Sequence, residues 1–141
     1  NAGMVTGIGL GGLALFVAVF VPYWVALHQP VSLPVAQTYA FSAWMVGHVL
    51  LALFSRSAQD PLYRIGFFSN RVLLIWMAGA LGFLGAAILV PWMGHQLNIV
   101  PVPPGDMAAV AIFVALCMAG FELIKIRRAA WNPGSFEKKT G

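Results

Sequence analysis

Charge is what this 141-residue sequence lacks most. Asp, Glu, Lys and Arg together make up 9% of the chain, whereas a typical soluble domain has about 25%. Residues 1–55 contain none of the four, and a second run without them extends from Val72 to Gly105. Because 60% of the residues are hydrophobic, the composition excludes intrinsic disorder and an ordinary water-soluble globule. It is typical of a polytopic membrane protein.

The residue types that build common chemical sites are also scarce. Cys117 is the single cysteine, which excludes a disulfide within the chain and argues against a metal site made of cysteines. The sequence has no Walker-type phosphate loop, no aspartyl-phosphorylation motif and no Ser-His-Asp set. We therefore predict no catalytic residue, no resident metal site and no ATP site in this chain.

Four apolar stretches are long enough to cross a membrane, which takes about 20 helical residues. They are continuous rather than alternating, and backbone groups in lipid must be satisfied within the segment, so helices are predicted. Pro34 suits a first helical turn, and Asn70 and Asp106 suit N-caps. The sequence predicts an all-α integral membrane domain of four helices in two hairpins, with spans at 4–27, 35–55, 72–93 and 106–126 and a tail at 127–141.

The basic residues predict the orientation. All eight Lys and Arg residues lie in the 56–71 connection or from residue 125 onwards. Connections 28–34 and 94–105 have none. The positive-inside rule places the 56–71 loop, the tail and both termini in the cytoplasm, with the plasma (inner) membrane as the expected location. The basic side chains would then contact anionic lipid headgroups, and nothing in the pattern indicates nucleic-acid binding.

His48 is the main candidate for chemistry. It is expected in the middle of the second span, where an ionisable side chain is costly and often functional. Neutral imidazole can bind a cation, relay a proton or ligate a cofactor metal. The plainer interpretation, favoured for a histidine without a visible partner, is a neutral ring hydrogen-bonded to a neighbouring helix.

Small and charged residues suggest packing roles. Gly3, Gly7 and Gly11 are four residues apart and form one smooth face of the first span, which predicts a close partner helix, and Gly47 allows a similar approach on the second span. Glu122 and Lys125 are three residues apart in the last turns of the fourth span, so an interfacial ion pair is predicted there. Trp44 and Trp76 are expected to pack between helices.

Three stretches together resemble a known family. They are residues 38–42 (TYAFS) continuing to 50–56 (LLALFSR), residues 61–71 (PLYRIGFFSNR), and residues 120–125 (GFELIK). Over nearly the whole chain, this pattern resembles the C-terminal membrane domain of P-type cation-transporting ATPases of the calcium-pump type. The Phe-x-Asn sequence at 68–70 is its most specific part.

The resemblance implies that the spans are the seventh to tenth transmembrane helices of a pump. It also implies that the phosphorylated aspartate and the nucleotide domain lie outside this chain. The glycine-rich first span is similar to the seventh helix, which packs against the fifth. By register, His48 matches the position where the eighth helix often offers a carboxylate or amide to the cation. Calcium prefers oxygen ligands, so a softer cation, a proton or packing alone is expected at His48.

Three functions remain open at this point. The first is a C-terminal support domain that scaffolds the ion-transport helices of a P-type ATPase; its cofactor is unknown, and a transported cation is the candidate. The second is a stand-alone structural or assembly subunit of a larger membrane complex with the same fold. The third is a cofactor-binding membrane protein that uses His48 as an axial ligand. In each of them, the expected partners are other transmembrane helices and lipid.

Overall fold

The structure, a computed structural model, describes residues 2–56 and 62–131, except for the side chains of residues 2–4, 63, 65, 125 and 128–131. Within these ranges the chain is helical and has no strand. Four of its helices are long and apolar enough to cross a membrane, which confirms the all-α membrane architecture. The helices are α1 (Ala2–Leu27), α2 (Leu33–Phe54), α3 (Leu62–Ile65), α4 (Arg71–Leu89), α5 (Pro91–Leu97) and α6 (Pro104–Trp131).

Of the three residues predicted to mark helix starts, Pro34 and Asn70 do so and Asp106 does not. A proline occupies the first turn of α2, and the Asn70 side chain accepts a hydrogen bond from the Leu73 N–H at 3.1 Å. The prediction that Asp106 caps the fourth span is wrong. Helix α6 begins two residues earlier, and the Pro103 carbonyl accepts from the Asp106 N–H at 3.1 Å. Proline pre-sets the helical φ at that position.

The third span is shorter than the sequence predicts, because α4 ends at Leu89 and not at residue 93. Pro91 has no N–H, and its ring disfavours a helical conformation at the residue before it. Val90 is accordingly extended, with φ −97° and ψ 109°. The chain then makes the separate short helix α5, which ends at Asn98 in the left-handed conformation, with φ 55°.

The core lies where α1, α2 and α6 meet. Small side chains bring these helices together, and the fully buried residues at the contact include Ala18, Ala43, Val114 and Met118. Helices α1 and α2 form a packed hairpin. Helix α4 lies mainly against α2 rather than α6, since α5 separates α4 from the span that follows it. The peripheral position leaves most of α4 uncovered by the described chain.

We call the end of the bundle formed by residues 28–34 and 90–104 the proline-rich end, and the end formed by residues 55–56, 62–71 and 124–131 the basic end. At the proline-rich end, α2 holds the connection between α5 and α6. Gln37 Oε1 accepts a hydrogen bond from Asn98 Nδ2 at 2.8 Å, and Thr38 Oγ1 accepts one from the Val100 N–H at 3.1 Å. These bonds satisfy polar groups that lipid would leave unpaired.

Gly94 makes the closest backbone approach at this end. A Cβ added there would lie 2.8 Å from the Ile99 carbonyl oxygen and 3.1 Å from the Ala87 carbonyl oxygen. Both obstacles are backbone atoms and cannot rotate away. We expect Gly94→Ala to lower the free energy of unfolding by about 1–3 kcal/mol, as overpacking does elsewhere. The measurement is the thermal unfolding midpoint of the purified protein in detergent.

Gly85→Ala is the matched control. A Cβ at Gly85 meets nothing within 4 Å, and alanine favours a helix over glycine by up to about 1 kcal/mol. Its midpoint should therefore equal or exceed that of the wild type. Equal midpoints for Gly94→Ala and Gly85→Ala would contradict the close approach.

Candidate functional site

His48 lies on a face of α2 that the described chain covers only in part. This face carries Gln37, Phe41, Trp44 and His48, which follow one another at helical spacings of four, three and four residues. We call these four residues the α2 stripe. Trp44 is 45% exposed and His48 is half-buried. His48 precedes the end of α2 at Phe54 by six residues, so it lies nearer the basic end than the mid-span position that we expected.

The hydrogen bond that His48 makes fixes its tautomer. Nδ1 lies 3.2 Å from the carbonyl oxygen of Trp44. A carbonyl oxygen only accepts, so Nδ1 carries the proton and donates it. In a neutral ring, Nε2 then keeps its lone pair. Within the part of the chain that the structure describes, Nε2 has no hydrogen-bond partner. The ring therefore presents an acceptor nitrogen to whatever covers the stripe.

Aromatic rings continue this surface on α1. Phe16, Phe20 and Trp24 stack in a ladder along the helix, with ring centroids 5.4 and 5.7 Å apart, and the His28 ring continues it just past the helix end, tilted by 45° at 4.5 Å from Trp24. A groove of about 320 Å³ between α1 and α2 is lined by residues of both, including Phe16 and Phe20 of the ladder and Gln37 of the stripe. The ladder, the groove and the stripe form one surface, which we call the α1–α2 face.

Two of the expected positions for tryptophan are wrong within the described chain. Trp44 and Trp76 were expected between helices, but they are 45% and 49% exposed. Trp44 instead packs its ring against His48, with centroids 4.7 Å apart. The apolar sequence around each residue does not indicate which side of its helix meets another helix, since all sides are similarly apolar.

The four glycines that we singled out lie in different surroundings. Gly47 is buried, and a Cβ there would lie 2.5 Å from Leu15 Cδ1. A Cβ at Gly11 would lie 2.9 Å from Leu51 Cδ1. Both glycines therefore sit where α1 and α2 approach closely. A Cβ at Gly7 would meet nothing within 4 Å, and the surroundings of the Gly3 side-chain position are outside the described part.

Glu122 joins α6 to the segment that follows α2. Its side chain is 9% exposed, and Oε1 accepts a hydrogen bond from the backbone N–H of Leu62, the first residue of α3. The predicted ion pair with Lys125 stays a prediction, because the Lys125 side chain lies outside the described part. The contact with Leu62 was not foreseen, since the two residues are 60 positions apart.

Arg56 organises the rest of the basic end. Its guanidinium donates to the Gly66 carbonyl oxygen at 2.9 Å and to Ser69 Oγ at 2.7 Å. Gly66 has φ 84°, a conformation that glycine adopts without strain. Sequence reasoning used Arg56 only for orientation and for the family resemblance. The signal available was an arginine at the end of a span, followed at short range by the Gly-x-x-Ser of residues 66–69.

The sequence analysis also failed to predict one polar contact between spans. Tyr39 Oη donates a hydrogen bond to Asp106 Oδ2 at 2.7 Å, across 67 positions of sequence. Tyr39 is 9% exposed and belongs to the core cluster, whereas Asp106 is exposed in the first turn of α6. A lone aspartate at the start of an apolar span was the only sequence signal for this contact.

Within residues 2–56 and 62–131, no group of three His, Cys, Asp or Glu side chains could hold a metal ion together. A cation that meets His48 would therefore need ligands from outside these residues.

These features define a class: a helical membrane domain whose polar groups bind one another at its two ends and whose α1–α2 face carries a histidine with a free acceptor nitrogen. Comparison with known protein families gives a match over most of the chain. The family described as "Cation transporting ATPase, C-terminus" matches residues 1–127. The chain belongs to this family and is a C-terminal membrane domain of P-type cation ATPases, as its resemblance implied. No curated protein matches the chain.

The contact between Glu122 and Leu62 can be tested by substitution. We expect Glu122→Ala to reduce the free energy of unfolding by about 1–3 kcal/mol, because it leaves the Leu62 N–H without its acceptor. Glu122→Gln keeps an oxygen at the same position and should cost less. The thermal unfolding midpoints of both variants in detergent give the comparison. The contact is refuted if Glu122→Ala is no less stable than Glu122→Gln.

Proposed function

We propose that this domain scaffolds the ion-transport helices of a P-type cation ATPase and meets them through its α1–α2 face. The observation that carries the proposal is the composition of that face. It combines an aromatic ladder on α1 with a polar and aromatic stripe on α2, and the described chain covers both only in part. A face in contact with lipid alone has no use for His48, whose second ring nitrogen is costly to expose to hydrocarbon.

The packing behind this face supports a scaffolding role. Helices α1, α2 and α6 share a core of small buried residues, and Gly11 and Gly47 let α1 and α2 approach closely. Such close-packed interiors deform little. A rigid platform of this kind would hold the transport helices in place while they change conformation during pumping.

We also propose that His48 contributes to the ion pathway. The register of the family resemblance supports this, and so does the tautomer, since Nε2 of the neutral ring is an acceptor without a hydrogen-bond partner in the described chain. Imidazole nitrogen suits transition metals and protons better than calcium, which prefers oxygen. The transported species that best fits this position is therefore a proton or a borderline cation, with the remaining ligands supplied by other helices of the pump.

Substitution of His48 in the complete ATPase tests this role. We expect His48→Ala to raise the cation concentration needed for half-maximal phosphorylation by about tenfold or more, as the loss of a charge-assisted contact of about 1.5–3 kcal/mol implies. His48→Gln supplies an amide oxygen and should shift selectivity toward harder cations. The measurement is cation-dependent phosphoenzyme formation over a series of ions.

His95→Ala is the control, because His95 is an exposed histidine on the short helix α5 and not on the α1–α2 face. It should leave the half-maximal concentration unchanged. Unchanged values for both His48 variants would exclude His48 from the pathway. If the native chain isolates as a 15.1 kDa species with partners that have no ATPase activity, the stand-alone subunit replaces the proposal altogether.

The orientation is a proposal that rests on the basic residues. With the basic end in the cytoplasm of a plasma-membrane protein, the proline-rich end faces outward. Phe68 is 80% exposed at the basic end, and Gln96 is exposed at the proline-rich end. Each position can carry a cysteine label in a Cys117→Ser background.

We expect a membrane-impermeant maleimide to label Gln96→Cys in intact cells and to label Phe68→Cys only after permeabilisation. Both positions are exposed, so the membrane alone would separate them. The opposite pattern would reverse the orientation, and equal labelling at both positions in intact cells would contradict any single orientation.

A further inference from the structure

A second groove lies between α1 and α6, apart from the α1–α2 face. It has a volume of about 270 Å³. Its walls are apolar: Val21 and Val25 come from α1, and Val110 and Phe113 come from α6. These residues lie in the spanning parts of both helices, toward the proline-rich end. The walls therefore offer an apolar surface at a depth where lipid acyl chains are present.

The groove ends in polar groups. Gln29, Tyr39 and Asp106 line it together with the apolar residues. The Tyr39 hydroxyl donates to Asp106 Oδ2 at 2.7 Å, which fixes the carboxylate at the mouth of the groove. Residue Gln29 follows the end of α1, and Asp106 lies in the first turn of α6. Both thus lie at the level where lipid headgroups meet the hydrocarbon core.

The described chain supplies no basic partner for this carboxylate. Within residues 2–56 and 62–131, every Lys and Arg lies at the basic end of the spans, opposite Asp106. Asp106 is exposed. An occupant of the groove that neutralises Asp106 must bring its own positive charge, and a primary ammonium can also donate hydrogen bonds to a carboxylate and to an amide oxygen.

The shape of the groove suits a flexible occupant. It is an open channel between two helices, with apolar walls and polar groups at one end. An acyl chain can lie along these walls while a charged headgroup reaches Asp106.

We propose that the α1–α6 groove binds a phospholipid whose headgroup carries a primary ammonium group. The acyl chain lies between Val25 and Phe113, and the ammonium binds Asp106 with the Gln29 amide oxygen beside it. Phosphatidylethanolamine has this chemistry. Phosphatidylglycerol has no cation, and the quaternary ammonium of phosphatidylcholine has no N–H to donate. The groove therefore discriminates among lipids through the headgroup and not through the chain.

The test is native mass spectrometry of the complete protein, titrated separately with phosphatidylethanolamine, phosphatidylglycerol and phosphatidylcholine. We expect the wild type to retain phosphatidylethanolamine about tenfold more tightly than the other two, the ratio that a charge-assisted hydrogen bond provides. Asp106→Asn keeps an oxygen for Tyr39 and removes the charge, so this preference should fall to about one. Asp60→Asn removes a carboxylate from the basic 56–71 segment and should leave the preference unchanged.

A second variant tests the channel itself. Ala109 lines the groove and is exposed, so Ala109→Trp fills the space without disturbing the core. It should abolish retention of phosphatidylethanolamine. The proposal is overturned if the wild type shows no headgroup preference, if Asp106→Asn retains the preference, or if Ala109→Trp still binds the lipid. A photo-crosslinker placed at Ala109 that captures a polypeptide instead of lipid would also overturn it.

Discussion

The close approach of α1, α2 and α6 around Gly47 is the constraint on which the other features of this domain depend. Gly47 lies against Leu15 of α1 and Val114 of α6, which fixes the rotation of α2 about its own axis. With that rotation set, Tyr39 reaches α6, Thr38 reaches the connection before α6, and His48 is left on the open side. In a membrane, where lipid offers no hydrophobic drive for helix association, such small-residue contacts replace it.

The two ends of the bundle are joined by polar contacts of different kinds. At the proline-rich end, α2 binds the later part of the chain through neutral and charge-assisted hydrogen bonds, of which the Tyr39–Asp106 contact is the shortest. At the basic end, Glu122 and Arg56 hold the segment between α2 and α4. Placing these bonds near the span ends satisfies polar groups where lipid would otherwise leave them unpaired.

The surfaces of the domain divide by chemistry. The α1–α2 face has aromatic rings and an imidazole acceptor, which suits contact with other helices of a pump. The α1–α6 groove is narrow and ends in a carboxylate, which suits a lipid with an ammonium headgroup. Helix α4 is peripheral and mostly uncovered. The rotation of α2 about its own axis shapes both the α1–α2 face and the α1–α6 groove, because it directs Tyr39 toward the groove and His48 away from it.

The four spans, their helical form, the helix starts at Pro34 and Asn70, and the family could all be predicted from the sequence. These depend on hydrophobicity, proline and capping, which act over a few neighbouring residues. The exposure of Trp44, the Tyr39–Asp106 contact and the close approach at Gly94 became known only from the packing of the helices. When a span is apolar on every side, its sequence does not indicate which side packs against another helix. Contacts between residues 60 or more positions apart depend on those rotations, and only packing fixes them.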